Sequence, residues 1–172
     1  MMLSRVLITL AVALSLYANA HARARPVPRI TANNIDVGAH YLGDQNEQDI
    51  KCLAYSIYRE AGNQSDSAQM AVGQVHVNRA REGTWGHHLC RVVFAPAQFS
   101  WTNERREVRW TPKQYAHFMD MAGALVTGVR VRGLDSTRIL HYHTLAINKK
   151  WDKQGKAVAV AGAHIFFADI PH

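Results

Sequence analysis

The sequence has no apolar run of the length needed to cross a bilayer, about 20 residues. The longest, Val6 to Tyr17, stops well short of it. Cysteine is scarce: there are two, Cys52 and Cys90, with no C-x-x-C pair beside them, so a zinc site of the usual spacing is not expected. Nor does any H-E-x-x-H occur among the 10 histidines, which leaves no complete metal-ligand set to read. Acidic side chains are outnumbered, 13 against 20 Lys and Arg, for a formal net charge of +7. No internal repeat or low-complexity tract follows Asp44.

What is present begins with an export signal. Met1 to Arg5 is short and basic, Val6 to Tyr17 is apolar, and Ala18-Asn19-Ala20 is a small-residue cleavage site. Residues 1–22 therefore read as a signal peptide, with Ala20-His21-Ala22 and Ala22-Arg23-Ala24 as later cuts. The mature chain is expected in the periplasm or outside the cell, with no stable membrane span. In that compartment Cys52 and Cys90 can form one disulfide, worth about 3–4 kcal/mol by loop closure; two unlinked buried thiols are the alternative.

The remaining length suits one domain. Residues 23–43 are rich in Arg, Pro and Asn with little periodicity and read as a flexible lead-in, so the folded domain is expected over 44–172. Ile50, Leu53, Ala54, Ile57 and Ala61 recur at helical spacing and end at Gly62-Asn63. Asp66 with Gln69 resembles a capping box opening a second helix, apolar nearly all round and so expected to lie deep. Gly83 to Phe99 reads as an irregular loop. Thr111-Pro112-Lys113-Gln114 is a sharp helix start, carried on by Tyr115, Phe118, Met119, Ala122 and Val126. Strands are expected at Ile139 to Thr144, Ala157 to Ala161 and His164 to Phe167. Helices first and a small sheet late make an α+β domain.

Glu60 sits at the margin of the first helix's apolar stripe. It could turn outward or pair with an arginine, as charges near cores usually do. It could also border a cleft, where partial desolvation raises a carboxyl pKa and leaves a proton to donate at neutral pH. Spacing allows either.

Four blocks in order bear on that choice: Leu53-Ala54-x-x-Ile57-Tyr58-x-Glu60-Ala61; Gly73-Gln74-Val75-x-Val77-Asn78-Arg79; Cys90-x-Val92-Val93-Phe94; and Gln98-Phe99-Ser100-Trp101. With Trp151 and Gly162-x-His164-x-Phe166 they resemble the SleB-type cell wall hydrolases, over roughly Cys52 to Phe167. The resemblance implies a lysozyme-like, mainly helical α+β domain beside a saccharide groove. It implies Glu60 as the catalytic acid/base, no cofactor, and cleavage of the MurNAc–GlcNAc bond of peptidoglycan without water, leaving a 1,6-anhydro end. An exported basic protein is drawn to acidic envelope polymers rather than nucleic acid, so peptidoglycan glycan strands are the expected partner. Oligomeric state is not legible.

Ordinary glycoside hydrolysis would want a second carboxylate, and Asp66 and Asp135 are the nearest candidates. Gln98, Phe99, Ser100 and Trp101 could wall the groove, although Phe99 and Trp101 could equally plug the core. On a strand, His141 and His143 would share one face and Tyr142 the other; Tyr142 and His143 are candidate substrate contacts, though His143-Thr144 departs from the family's pattern. Asn78-Arg79 is expected to serve the helix's own C-terminal carbonyls. Two rivals stay open: a peptidoglycan-binding protein without catalysis, and a metal-dependent envelope hydrolase built on the histidines.

Overall fold

Helix α1, Glu47–Ala61, starts where it does because its first turn is capped from both sides. The Asn46 side chain accepts the Asp49 backbone N–H at 2.9 Å, and the Asp49 carboxylate accepts that of Asn46 at 3.4 Å. Leu53, Ala54, Ile57 and Ala61 on its stripe are wholly buried. They face helix α2, Asp66–Glu82, which is buried without a break from Ala68 to Ala80 and forms the centre of the domain. A Cβ on Gly73 of α2 would lie 2.4 Å from Leu125 Cδ1 and 2.8 Å from Ile57 Cδ1. The missing side chain is what lets the neighbouring helices close onto it.

These observations belong to a computed structural model that describes residues 26–38, 41–103 and 109–171. The expected signal peptide, residues 1–22, lies outside them. Among the described residues no helix is long and apolar enough to cross a membrane.

The start of α2 differs from expectation. Ser65 occupies the cap and Asp66 is the first helical residue. Gln69 does not close a capping box: its amide donates to the Gln64 carbonyl at 3.0 Å, and its Oε1 meets His117 Nε2 at 2.9 Å. Being buried, that amide must be satisfied on both sides, and the preceding turn and a neighbouring helix supply the partners. The neighbour is α4, Pro112–Val126, whose Thr111 cap forms as its sequence predicts: Thr111 Oγ1 accepts the Gln114 N–H at 3.2 Å, and Gln114 Oε1 accepts the Thr111 N–H at 3.0 Å.

The stretch expected to be loop contains a short helix, α3, Leu89–Val93. Five residues are too few to show a period, and its position is set from outside. Asp49 Oδ1 accepts the Cys90 N–H at 3.0 Å, Gln45 Oε1 accepts the Leu89 N–H at 2.9 Å, and a Cys52–Cys90 disulfide ties it to α1.

Among the described residues two antiparallel sheets complete the α+β fold. Strand β1, Ile35–Val37, pairs with β2, Val129–Val131; β3, Ile139–Thr144, β4, Lys156–Ala161, and β5, His164–Ala168, assemble in the order β3-β5-β4. The first pairing corrects the expectation of a flexible lead-in over 23–43 for the described residues 26–38. Ile30 is 6% exposed and donates its N–H to the Val160 carbonyl at 2.7 Å, and Ile35 stands opposite Val131. A segment this short shows no period of its own and becomes ordered by the edges it meets.

Asn78 and Arg79 are likewise used differently from the expected C-terminal cap. Asn78 Nδ2 donates to the carbonyls of Leu134 at 2.7 Å and Ile139 at 3.0 Å, and Arg79 Nε donates to that of Leu140 at 2.8 Å. The end of α2 is thereby tethered to β3, and this tether brings β3 alongside the last turn of α1.

Candidate active site around Glu60

At that last turn the Glu60 carboxylate faces two donors from different elements. Trp101 Nε1–H, from a short 3-10 turn at Ser100–Asn103, donates to Oε1. Tyr142 Oη–H, from β3, donates to Oε2 at 3.3 Å. Alternation along β3 places Tyr142 on the core face against Phe166, 5.6 Å between ring centroids. It sends His141 and His143 to the other face, both against Trp151, at 5.6 and 5.3 Å.

Burial raises the Glu60 pKa above the ordinary carboxyl range, and this is the largest influence on it. The Trp101 and Tyr142 hydrogen bonds and the charges of Arg79 and Arg59 oppose the rise, since each favours the ionised form. The outcome is a carboxyl that keeps its proton to higher pH than a solvated one. Tyr142, desolvated and facing that carboxylate, is held well above the usual phenol range and stays a neutral hydroxyl.

Glu60 opens into a cavity of about 430 Å³. Gln98, Phe99, Ser100, Tyr142 and His143 line it with Glu60, so five of the six substrate-contact candidates come together there. Trp101 does not line it. This residue is 5% exposed, packed between Phe99 (5.4 Å, stacked) and Tyr55 (5.0 Å, edge-on), and reaches the site only through its N–H. The chain enters this wall through Ala97, whose φ of 61° is the left-handed conformation that an alanine adopts at a cost of about 1 kcal/mol. Glu60 is the acidic side chain among the described lining residues. Asp135 is engaged by Arg81, the Asp66 side chain is 81% exposed beside His117, and neither lines the cavity with Glu60.

The family model described as Cell Wall Hydrolase matches residues 63–167. The chain belongs to the cell wall hydrolase family. Glu60 lies just before the matched span, whereas Arg79, Gln98, Tyr142, His143 and His164 fall inside it. The crystal structure of the catalytic domain of the Bacillus cereus SleB protein is similar with a TM-score of 0.54 at 18% identity, covering 76% of this chain and 94% of that one. At this identity the likeness is one of fold, and that fold is lysozyme-like and α+β. A search of curated proteins finds no match.

Three residues of this cell wall hydrolase's site escaped the sequence reading. Arg79 lines the cavity and is 5% exposed, with its guanidinium over the Trp85 ring at 5.0 Å and its Nη1 without a hydrogen-bond partner. His164 lines the cavity too; burial and the neighbouring His143 lower its pKa, and its Nδ1 has no partner. Lys149 stands at the rim. An arginine inside an apolar helix pattern was the available signal for the first. His164 stood in the Gly162-x-His164-x-Phe166 motif, but its place beside Glu60, like that of Lys149, depends on a fold that brings sequence-distant segments together. Among the described residues no three His, Cys, Asp or Glu side chains converge as metal ligands would. His87 meets the Ala80 carbonyl, His88 meets Asp49, and His143 is held between Asp152 and the Thr144 carbonyl.

Proposed function

We propose that this cell wall hydrolase is an exported lytic transglycosylase that cleaves the MurNAc–GlcNAc bond of peptidoglycan with Glu60 as its general acid and base. The observation that carries the reading is a carboxyl with a raised pKa in a cavity whose described lining residues include no second carboxylate. A protonated Glu60 donates to the glycosidic oxygen as the C1–O4 bond breaks, and the GlcNAc 4-hydroxyl departs. The muramyl 6-hydroxyl oxygen then bonds to C1 and its proton returns to the carboxylate, closing the 1,6-anhydro ring. Because the attacking group already belongs to the sugar, proximity replaces a protein nucleophile, and a single carboxyl suffices where hydrolysis calls on two.

The basic lining supports the choice of polymer. Arg79 and Lys149 offer positive charge beside Glu60, suited to the lactyl and peptide carboxylates of a muramyl glycan. Purified sacculi digested with the protein and analysed by mass spectrometry test the reading. Anhydromuramyl ends are the expected product; reducing ends would replace it with hydrolysis, and freed stem peptides would replace it with amide cleavage. No release at all, with the protein sedimenting on sacculi, would leave a binding protein.

A further inference from the structure

The two donors that meet Glu60 differ in kind. An indole N–H can only donate, so the oxygen it addresses, Oε1, has to accept whatever the protonation state of the carboxyl. A phenol hydroxyl donates or accepts by rotation, so the oxygen facing Tyr142, Oε2, can be bare or can carry a proton. They differ in place as well: Tyr142 lines the cavity, whereas Trp101 belongs to the buried wall behind it. We propose that the proton Glu60 gives to substrate and takes back is carried on Oε2, and that Trp101 is the positioning residue that keeps it there by holding Oε1 as the carbonyl oxygen. This rests on Glu60 being the acid/base and specifies which of its atoms acts.

With a proton on Oε2 the indole bond to a carbonyl oxygen survives, and Tyr142 turns to accept. A proton on Oε1 would point at the indole hydrogen and break the contact. The indole itself has little freedom to yield: Phe99 stacks on it, Tyr55 packs edge-on, and the Arg59 guanidinium lies 5.5 Å from its centre. Among the described residues, the other charged or titratable groups near the carboxyl are Arg79 from α2, Arg59 from α1, and His143, His164 and Lys149 around the cavity. The charges of Arg79 and Arg59 favour the ionised carboxylate and so lower its midpoint, whereas the two hydrogen-bond donors each address one oxygen.

Nuclear magnetic resonance on the full chain, with ¹⁵N-labelled tryptophan and ¹³C-labelled glutamate carboxyls, reads both quantities without substrate. The Trp101 indole proton should stay protected from solvent exchange on either side of the Glu60 titration. Protection lost as Glu60 gains its proton would overturn the assignment. Trp101→Phe removes a donor to the carboxylate and should raise the Glu60 midpoint by about one pH unit; a role confined to packing would leave it in place, and that result too would overturn the proposal. Should Trp101→Phe not fold, the exchange measurement on the unaltered chain decides alone. Glu60→Gln should keep the protected indole, because its amide oxygen takes the place of Oε1. Muropeptide release by that variant would remove Glu60 from catalysis without touching the exchange result, so the two ideas fail separately.

Discussion

Helices α1 and α2 carry two groups of polar side chains a few residues apart, the second joined by a residue of β5, and the groups are treated in opposite ways. Ser56, His76, Gln74 and Asn78 form a closed set. Ser56 Oγ meets His76 Nε2 at 2.8 Å, and His76 Nδ1 meets the Val72 carbonyl at 2.9 Å; since a carbonyl only accepts, Nδ1 carries the hydrogen and Nε2 accepts from the serine. Gln74 Nε2 donates to Asn78 Oδ1, and Gln74 Oε1 accepts the Val131 N–H. Glu60, Arg79 and His164 form an open set, in which Arg79 Nη1 and His164 Nδ1 find no partner and all three residues line a cavity. Ser56 beside His76 has the look of a nucleophile and its base, yet both are wholly buried and neither lines the Glu60 cavity. Complete satisfaction joins the elements of the fold, and incomplete satisfaction beside a cavity is where substrate can contribute.

Substitution separates the two sets. Glu60→Gln in the open set should lower muropeptide release from sacculi by about 10²–10⁴-fold, the usual contribution of a general acid/base, with an unchanged circular dichroism melt. Undiminished release would end the assignment. Opening the Cys52–Cys90 link, which belongs to neither set, should cost about 3–4 kcal/mol in urea unfolding, compared with and without reductant.

In the closed set, burial holds the His76 pKa down to about 3 against an ordinary value of 6.5. The unfolded chain therefore binds a proton that the folded chain refuses. Stability from this residue is full above about pH 6.5 and falls as the pH drops towards 3, by up to a few kcal/mol. Denaturant midpoints measured across that window should decline, and His76→Gln should flatten the decline. Asn78→Ala strands the carbonyls of Leu134 and Ile139 and should cost about 2 kcal/mol of stability. Activity should be lost only as far as the fold is. A loss of release beyond the unfolded fraction would show that the tether also shapes the open set. Smallest of all, Thr111→Ala removes a cap remote from both sets and should cost about 1 kcal/mol with release unaffected.

Most of the architecture was legible because its signals are local. The Ile50 to Ala61 stripe, the all-round apolar second helix, the Thr111 cap and the three late strands each rest on a period or a cap. What escaped was short or borrowed its order: α3 from Asp49 and Gln45, β1 from β2, and the Gln69 amide from the turn before it. The site divides in the same way. Glu60 stood out at the border of its stripe and in a family motif, Gln98 and Ser100 stood in another, and Tyr142 and His143 were candidate contacts on the strand expected at Ile139 to Thr144. Arg79 resembled a helix-end residue, and Trp101 resembled a sugar platform.

By itself the sequence determined which residues form helices, which carboxyl stands at the edge of an apolar face, and which two thiols are available to join, because periodicity, capping and composition act over a few residues. Tertiary structure alone decided that Trp101 reaches Glu60 with its N–H while its ring packs behind the cavity wall. It also decided that Tyr142 and Arg79 close on the same carboxyl, and that Asp66 and Asp135 stay away. Those outcomes depend on contacts between segments far apart in the chain, and on how much water the fold leaves at a single oxygen, quantities that no local pattern encodes.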